Sequence, residues 1–134
     1  MGLDNGVTLH TKAPVPELKE LGVAENRYES DFNFHYDICY WRKCWNIRRE
    51  VRYVLEADPE YVEKCWLSVG EVKGIWWALN NLNDPNVWDD DTSIWTYEEI
   101  QDHLEHDLYK LEWLIHFMRT HDPDDYMVEF YDSY

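Results

Sequence analysis

The strongest constraint on the fold of this chain is a helix signal that begins at TYEE, residues 96–99. Thr96 is placed to cap a helix, and Glu99 is placed to reach back to the capping backbone N–H. Apolar side chains then recur at spacings of four and three residues, until DPDD at residues 122–125 stops the pattern. We therefore expect one long amphipathic helix with a single buried face: Leu104, Leu108, Leu111, Ile115 and Met118.

Three further segments carry helix signals. The pattern of residues 26–57 predicts a first long helix. DPE at residues 58–60 predicts the start of a short second helix, and SVGE at residues 68–71 is a capping box that predicts the start of a third. The predicted fold is mainly α: a single-domain antiparallel helical bundle with two long helices. Residues 1–25 are expected as an extended lead-in and residues 26–134 as the acidic helical bundle domain. One alternative adds a short terminal β pair between GVTLH and YMVEFY.

The charge of the chain is strongly negative and unevenly distributed. The 134 residues carry 28 acidic against 12 basic side chains, a net charge of −16, and residues 84–134 hold 15 acids against 2 bases. Such a C-terminal half repels nucleic-acid phosphates and anionic membrane surfaces, so we expect neither as a direct partner. The expected partner is a basic protein, in particular one that binds nucleic acid.

The cysteines and the apolar runs indicate where the protein resides. Cys39, Cys44 and Cys65 are odd in number and form no C-x-x-C, which favours buried thiols in a reducing compartment. The start MGLDNG lacks the charged and apolar regions of a signal peptide, and no apolar run is long enough to span a bilayer. We therefore expect a cytoplasmic protein.

A basic and aromatic segment, YWRKCWNIRREVRY at residues 40–53, interrupts this acidic chain. If the segment is helical, Trp41, Trp45, Arg48 and Arg52 fall in one row. The row permits three interpretations. The aromatic rings are core and the arginines pair with the acidic last helix, or the four side chains form an anion or ligand site, or the patch binds nucleic acid, which the surrounding negative charge opposes. In the second interpretation the site lies between the first and last long helices.

The last helix also carries a possible metal site. Glu99, His103 and Asp107 are spaced by four residues along one helix face, and His106 lies beside them. Imidazole and carboxylate at this spacing suit a divalent cation, provided that another helix adds ligands. The alternative is a solvated polar face with His–carboxylate pairs. Apart from this metal, the sequence predicts no cofactor and no catalytic nucleophile.

Two pairs of acidic residues suggest an enzymatic alternative. Glu60 and Glu63 form E-x-x-E, and Glu99 and Asp102 form E-x-x-D. The pairs resemble the all-α nucleotide pyrophosphohydrolases of the MazG and dimeric dUTPase type, which hold magnesium with such carboxylates. The resemblance implies a metal-dependent helical enzyme that acts on nucleotides.

The acidic residues around the last helix are the preferred functional feature. Carboxylates on a rigid helix can meet the same lysine and arginine side chains that would otherwise neutralise phosphates. This pattern predicts a non-catalytic protein-binding module, a nucleic-acid mimic, and its alternative is a solvated face that only confers solubility. The predicted partner-binding residues are Asp89, Asp90, Asp91, Glu98, Asp102, Glu105 and Glu112.

A second resemblance bears on the biological setting. The opening MGLDNG and the segment YWRKCWNIR are similar to small uncharacterised proteins of bacteriophages and prophages. That group has no known activity to carry over, but a phage setting favours a small inhibitor of a host protein, such as a host-defence protein. A third hypothesis is an assembly module, in which the many aromatic side chains include an exposed patch that makes a homodimer.

Overall fold

A computed structural model describes residues 4–64, 66–89 and 95–133 of the chain. Within the described residues, three strands and one short helix come first, a run of helices follows, and the last strand pairs with the first one. In chain order the elements are β1 (Asp4–Thr11), α1 (Glu17–Glu20), β2 (Glu25–Arg27), β3 (Phe34–Arg42), α2 (Trp45–Glu56), α3 (Pro59–Lys64), α4 (Val69–Asn81), α5 (Tyr97–Thr120), a 3₁₀ helix (Pro123–Asp125) and β4 (Tyr126–Ser133).

The sheet shows that the predicted fold class was wrong. Four antiparallel strands form the order β2-β3-β1-β4, so the protein is a mixed α/β fold and not a mainly α bundle. The alternative pairing of GVTLH with YMVEFY is present, with Val7 opposite Phe130 and Leu9 opposite Val128. It is one part of a larger sheet, in which β1 has a hydrogen-bonded neighbour on each side.

The predicted helix over residues 26–57 is also wrong, because its first half contains strands β2 and β3. A β-bulge explains why the buried side chains of β3 imitate helical spacing at Phe34, Ile38 and Trp41. Opposite the step from Val7 to Thr8, β3 contributes an extra residue, so Ile38 and Cys39 are both buried. The bulge breaks the two-residue alternation that normally marks a strand.

The turn between β3 and α2 explains where the strand gives way to the helix. Lys43 adopts a positive φ of 52°, an uncommon conformation for a residue other than glycine. The strand β3 ends just before it, at Arg42, and α2 begins at Trp45. The basic and aromatic segment therefore consists of a strand end, a turn and a helix.

The two capping predictions are confirmed. The Ser68 hydroxyl accepts from the backbone N–H of Glu71, whose carboxylate accepts from the backbone N–H of Ser68. Thr96 and Glu99 make the same reciprocal pair at the start of α5. These local signals need only neighbouring residues, which is why the sequence is sufficient to place both helix starts.

The helices pack on one another and reach the sheet through α5. Helix α4 contacts both α2 and α5, and α5 contacts β3. One core joins the layers, with Val7, Leu9 and Cys39 from the sheet among its fully buried members. Cys39 and Cys44 are buried, as expected, whereas Cys65 lies outside the described residues. Among the described helices, none has the length and apolar character needed to cross a bilayer.

Candidate functional site

The outward side of α5 carries a line of acidic side chains. Glu98, Asp102, Glu105 and Glu112 are all exposed, and Tyr109, with 61% of its surface exposed, lies between the last two. The spacings of four and three residues place these five side chains, which we call the acidic row, along one face of the helix. The row runs over about 21 Å at 1.5 Å per residue.

The carboxylates of the acidic row form no ion pair within the described part of the chain. The two basic residues of α5 are Lys110, whose ammonium lies 3.6 Å from Asp107, and Arg119 near the helix end. Neither forms an ion pair with the row. The row therefore presents four uncompensated negative charges to solvent.

The remaining predicted acidic residues lie before the helix. The backbone of Asp89 is fixed by the Asn46 side chain, which donates to the Asp89 carbonyl at 2.8 Å and accepts from its N–H at 2.9 Å. Asp89 itself is half-buried. Asp90 and Asp91 lie outside the described residues, so the predicted acidic surface is placed only at Asp89 and on α5.

The inward side of α5 buries a charged residue. Asp107 has no exposed surface, and its carboxylate accepts from the indole N–H of Trp41 at 2.7 Å and contacts the His103 Nδ1 at 2.8 Å. Lys110 lies 3.6 Å from the other carboxylate oxygen. A buried carboxylate is expensive unless hydrogen bonds and opposite charges surround it, so this cluster fixes how α5 sits on β3.

The Asp107 carboxylate also controls two neighbouring titratable groups. Its hydrogen bond raises the pKa of His103, because the bond is stronger when the imidazole is protonated. Burial, followed by the negative charge of Asp107, raises the pKa of the Cys39 thiol, so this cysteine stays protonated. Cys39 is therefore a structural thiol rather than a nucleophile.

The predicted metal ligands are only partly brought together. His103 and Asp107 are in contact, but Glu99 serves the helix cap and His106 is exposed. In residues 4–64, 66–89 and 95–133, no three His, Cys, Asp or Glu side chains are arranged to hold a metal ion. The divalent metal remains a prediction that these contacts do not support.

The predicted ligand site of Trp41, Trp45, Arg48 and Arg52 is also divided. Trp41 is buried beneath α5, whereas Trp45 is exposed at the start of α2 with the Arg48 guanidinium 5.5 Å from its ring. Nε of Arg48 donates to Asp132 on β4 at 2.9 Å, and Arg52 contacts both Asp132 and Glu56. Among the described residues these contacts lie on β4 and α2, so the expected pairing of the arginines with α5 stays a prediction that they do not support.

A cavity of about 380 Å³ beside Arg52 and Phe130 has the size of a ligand pocket. The cation in this cavity is Arg52, and its guanidinium already contacts two carboxylates of the chain, Asp132 and Glu56, which also line the cavity. A second cavity, next to His103 and Cys44, measures about 80 Å³ and is too small for an organic substrate.

The E-x-x-E and E-x-x-D pairs that resemble pyrophosphohydrolases lie on α3 and α5. Glu60 is 3.7 Å from Lys64 within α3, and Glu63 is exposed. Helix α3 packs against α2. The structure therefore gives the enzymatic alternative no metal-binding carboxylate cluster among the described residues.

Sequence reasoning missed two functional features. Tyr109 belongs to the acidic row, and its spacing of four from Glu105 and three from Glu112 was a signal that could have revealed it. Asp132, which binds both arginines, gave no signal, because its contacts with Arg48 and Arg52 span 84 and 80 residues.

Comparison with protein-family models, with curated proteins and with solved structures finds no match for this chain.

Proposed function

We propose that the protein is a non-catalytic binding module that uses the acidic row of α5 to engage a basic protein surface. One observation carries the proposal: four exposed carboxylates lie along one helix face without an ion pair among the described residues. A folded chain gains little stability from such an arrangement, because like charges spaced by a helix turn repel each other. A cationic partner removes that repulsion.

The rigidity of α5 supports this role. The helix is 24 residues long, it is capped at Thr96, and its opposite side is packed into the core through Leu104, Leu111 and Leu114. The carboxylates therefore keep their spacing before the partner arrives. A preorganised surface loses less conformational entropy on binding than a flexible acidic segment does.

The chemistry of the row specifies the partner. Carboxylates at regular intervals suit a groove lined by lysine and arginine, the same groove that accepts a phosphate backbone. Tyr109 adds an exposed ring between Glu105 and Glu112, where an arginine can stack and pair at once. The proposed partner is therefore a nucleic-acid-binding protein, and the resemblance to phage proteins favours a host protein that the module inhibits.

The test is to neutralise the row without changing its size. We expect the variant Glu98→Gln, Asp102→Asn, Glu105→Gln and Glu112→Gln to lose at least about tenfold in affinity for a partner captured from host lysate. Wild-type binding should fall steeply between about 0.05 and about 0.5 M salt, because screening weakens exposed charge pairs. Binding is measured by interferometry, and folding by circular dichroism.

The matched control removes the same charge elsewhere. Glu17, Glu20, Asp31 and Glu63 are exposed and lie outside the row, so their amide variants should bind like the wild type. Duplex DNA at low salt should displace the protein from its partner if the row occupies a nucleic-acid groove. Equal losses in both quadruple variants, or binding that is indifferent to both salt and DNA, would remove the proposal.

A further inference from the structure

Two aromatic side chains are left on the outer side of the helix layer. Tyr53 on α2 is 77% exposed and Trp77 on α4 is 60% exposed. The buried residues of α2 and α4 lie on the opposite sides of these helices: Ile47, Val51 and Leu55 on α2, and Val72, Ile75, Ala78 and Leu79 on α4. Both rings therefore point away from the core.

The crossing of α2 and α4 places the two rings on one surface. A Cβ atom at Gly74 would lie 2.5 Å from Cγ1 of Val54, so the helices touch at this point with no room for a side chain. Tyr53 precedes Val54, and Trp77 follows Gly74 by about one turn. The outer surface at this crossing, which we call the outer aromatic face, thus combines both rings.

The helical segment that carries the outer aromatic face is nearly neutral in a very acidic protein. Residues 45–81, which contain α2, α3 and α4, hold 5 basic and 6 acidic side chains, whereas the whole chain has a net charge of −16. Exposed Lys73 lies one turn before Trp77, and exposed Arg49 lies one turn before Tyr53. Arg49 contacts Glu50 at 3.2 Å, which balances part of this charge.

We propose that a second copy of the chain docks on the outer aromatic face and forms a symmetric dimer. A copy with a net charge of −16 is repelled by the acidic row, whereas this face, on a nearly neutral segment, lets two copies approach. The chemistry of the face is also self-complementary. In a two-fold contact, Lys73 and Arg49 of one copy reach the Trp77 and Tyr53 rings of the other.

The dimer responds to salt in the opposite direction from binding at the acidic row. Its contacts are apolar and cation–π, and screening reduces the net repulsion between the two copies. We expect the weight-average mass to rise from 16.4 kDa towards twice that value with protein concentration, and more completely at about 0.5 M than at about 0.05 M salt. Sedimentation velocity from about 5 to about 200 µM measures this mass.

Variants locate the contact. Trp77→Ala combined with Tyr53→Ala should raise the dimer dissociation constant at least about 30-fold, because exposed aromatic rings at the centre of an interface dominate its energy. Both residues are exposed, so the variant should keep the wild-type circular dichroism spectrum. Tyr109→Ala removes an equally exposed ring from the acidic row and should leave the dimer unchanged. A monomer at every concentration and salt, or equal losses with Tyr109→Ala, would overturn the proposal.

Discussion

Replacing Asp107 with alanine is expected to lower the free energy of unfolding by about 3–5 kcal/mol, measured by urea denaturation. The carboxylate is fully buried and accepts the indole N–H of Trp41 at 2.7 Å. Without it, this donor and the Lys110 ammonium lose their partner inside the α5–β3 contact. Asp102→Asn on the exposed side of the same helix is the control, and its effect should stay within about 0.5 kcal/mol.

The stability that Asp107→Ala removes should also depend on pH, because Asp107 contacts His103. The hydrogen bond to Asp107 raises the pKa of His103 in the folded state above its ordinary value of 6.5. The folded protein then binds this proton more tightly than the unfolded chain does. The resulting stability is fully present below about pH 6.5 and is lost as the pH rises through the raised folded-state pKa.

The measurement compares Asp107→Ala with the wild type at about pH 5.5 and about pH 9. The destabilisation should be larger at the lower pH, and this difference should shrink in a His103→Gln background, where the imidazole that couples to Asp107 is absent. A destabilisation that grows with pH, or one below about 1 kcal/mol at both values, would contradict the proposed contact.

The second large effect is expected at Gly6 in the central strand. Gly6 lies between Tyr40 on β3 and Tyr131 on β4, and a Cβ atom there would sit 2.2 Å from the Cys39 carbonyl oxygen and 2.8 Å from the Tyr131 hydroxyl. Because a backbone atom cannot move aside cheaply, Gly6→Ala should cost about 3 kcal/mol. Thermal and urea unfolding both report this loss.

Gly70 supplies the matched control for Gly6. A Cβ atom at Gly70 meets only the Ser68 hydroxyl, at 3.8 Å, and the residue is exposed in the first turn of α4. Gly70→Ala should therefore stabilise the protein by about 0.5–1 kcal/mol, because alanine loses less backbone entropy in a helix. If both substitutions have the same effect, Gly6 does not occupy the crowded centre of the sheet.

In α5, the periodicity of apolar residues predicted the helix and only part of its buried face. The predicted bounds and cap are confirmed, and Leu104, Leu111 and Met118 are buried as expected. Leu108 and Ile115, however, are only partly buried, and Asp107 and Leu114 take their places in the core. The apolar pattern favours leucine over aspartate in the core, and a buried carboxylate is acceptable at position 107 because the Trp41 indole on β3, His103 and Lys110 surround it.

Among the predicted site residues, those placed by local spacing could be found from the sequence, and those placed by distant contacts could not. The exposed acids of α5 could be found from the sequence, because charged side chains rarely lie inside a protein and their spacing already places them on one helix face. Asp132, the acceptor of Arg48, could not be assigned from the sequence. It is on β4, which pairs with β1 at the other end of the chain.

The sequence by itself determined the features that depend on neighbouring residues: the two capped helix starts, the long amphipathic last helix, the acidic second half and the row of carboxylates. These follow from interactions between residues at most four positions apart. Only the tertiary structure decided the sheet, the burial of Asp107, the contacts of Arg48 and the pairing of the termini. Each of these rests on contacts between distant segments, and in β3 a bulge removed the alternation that would have identified the strand.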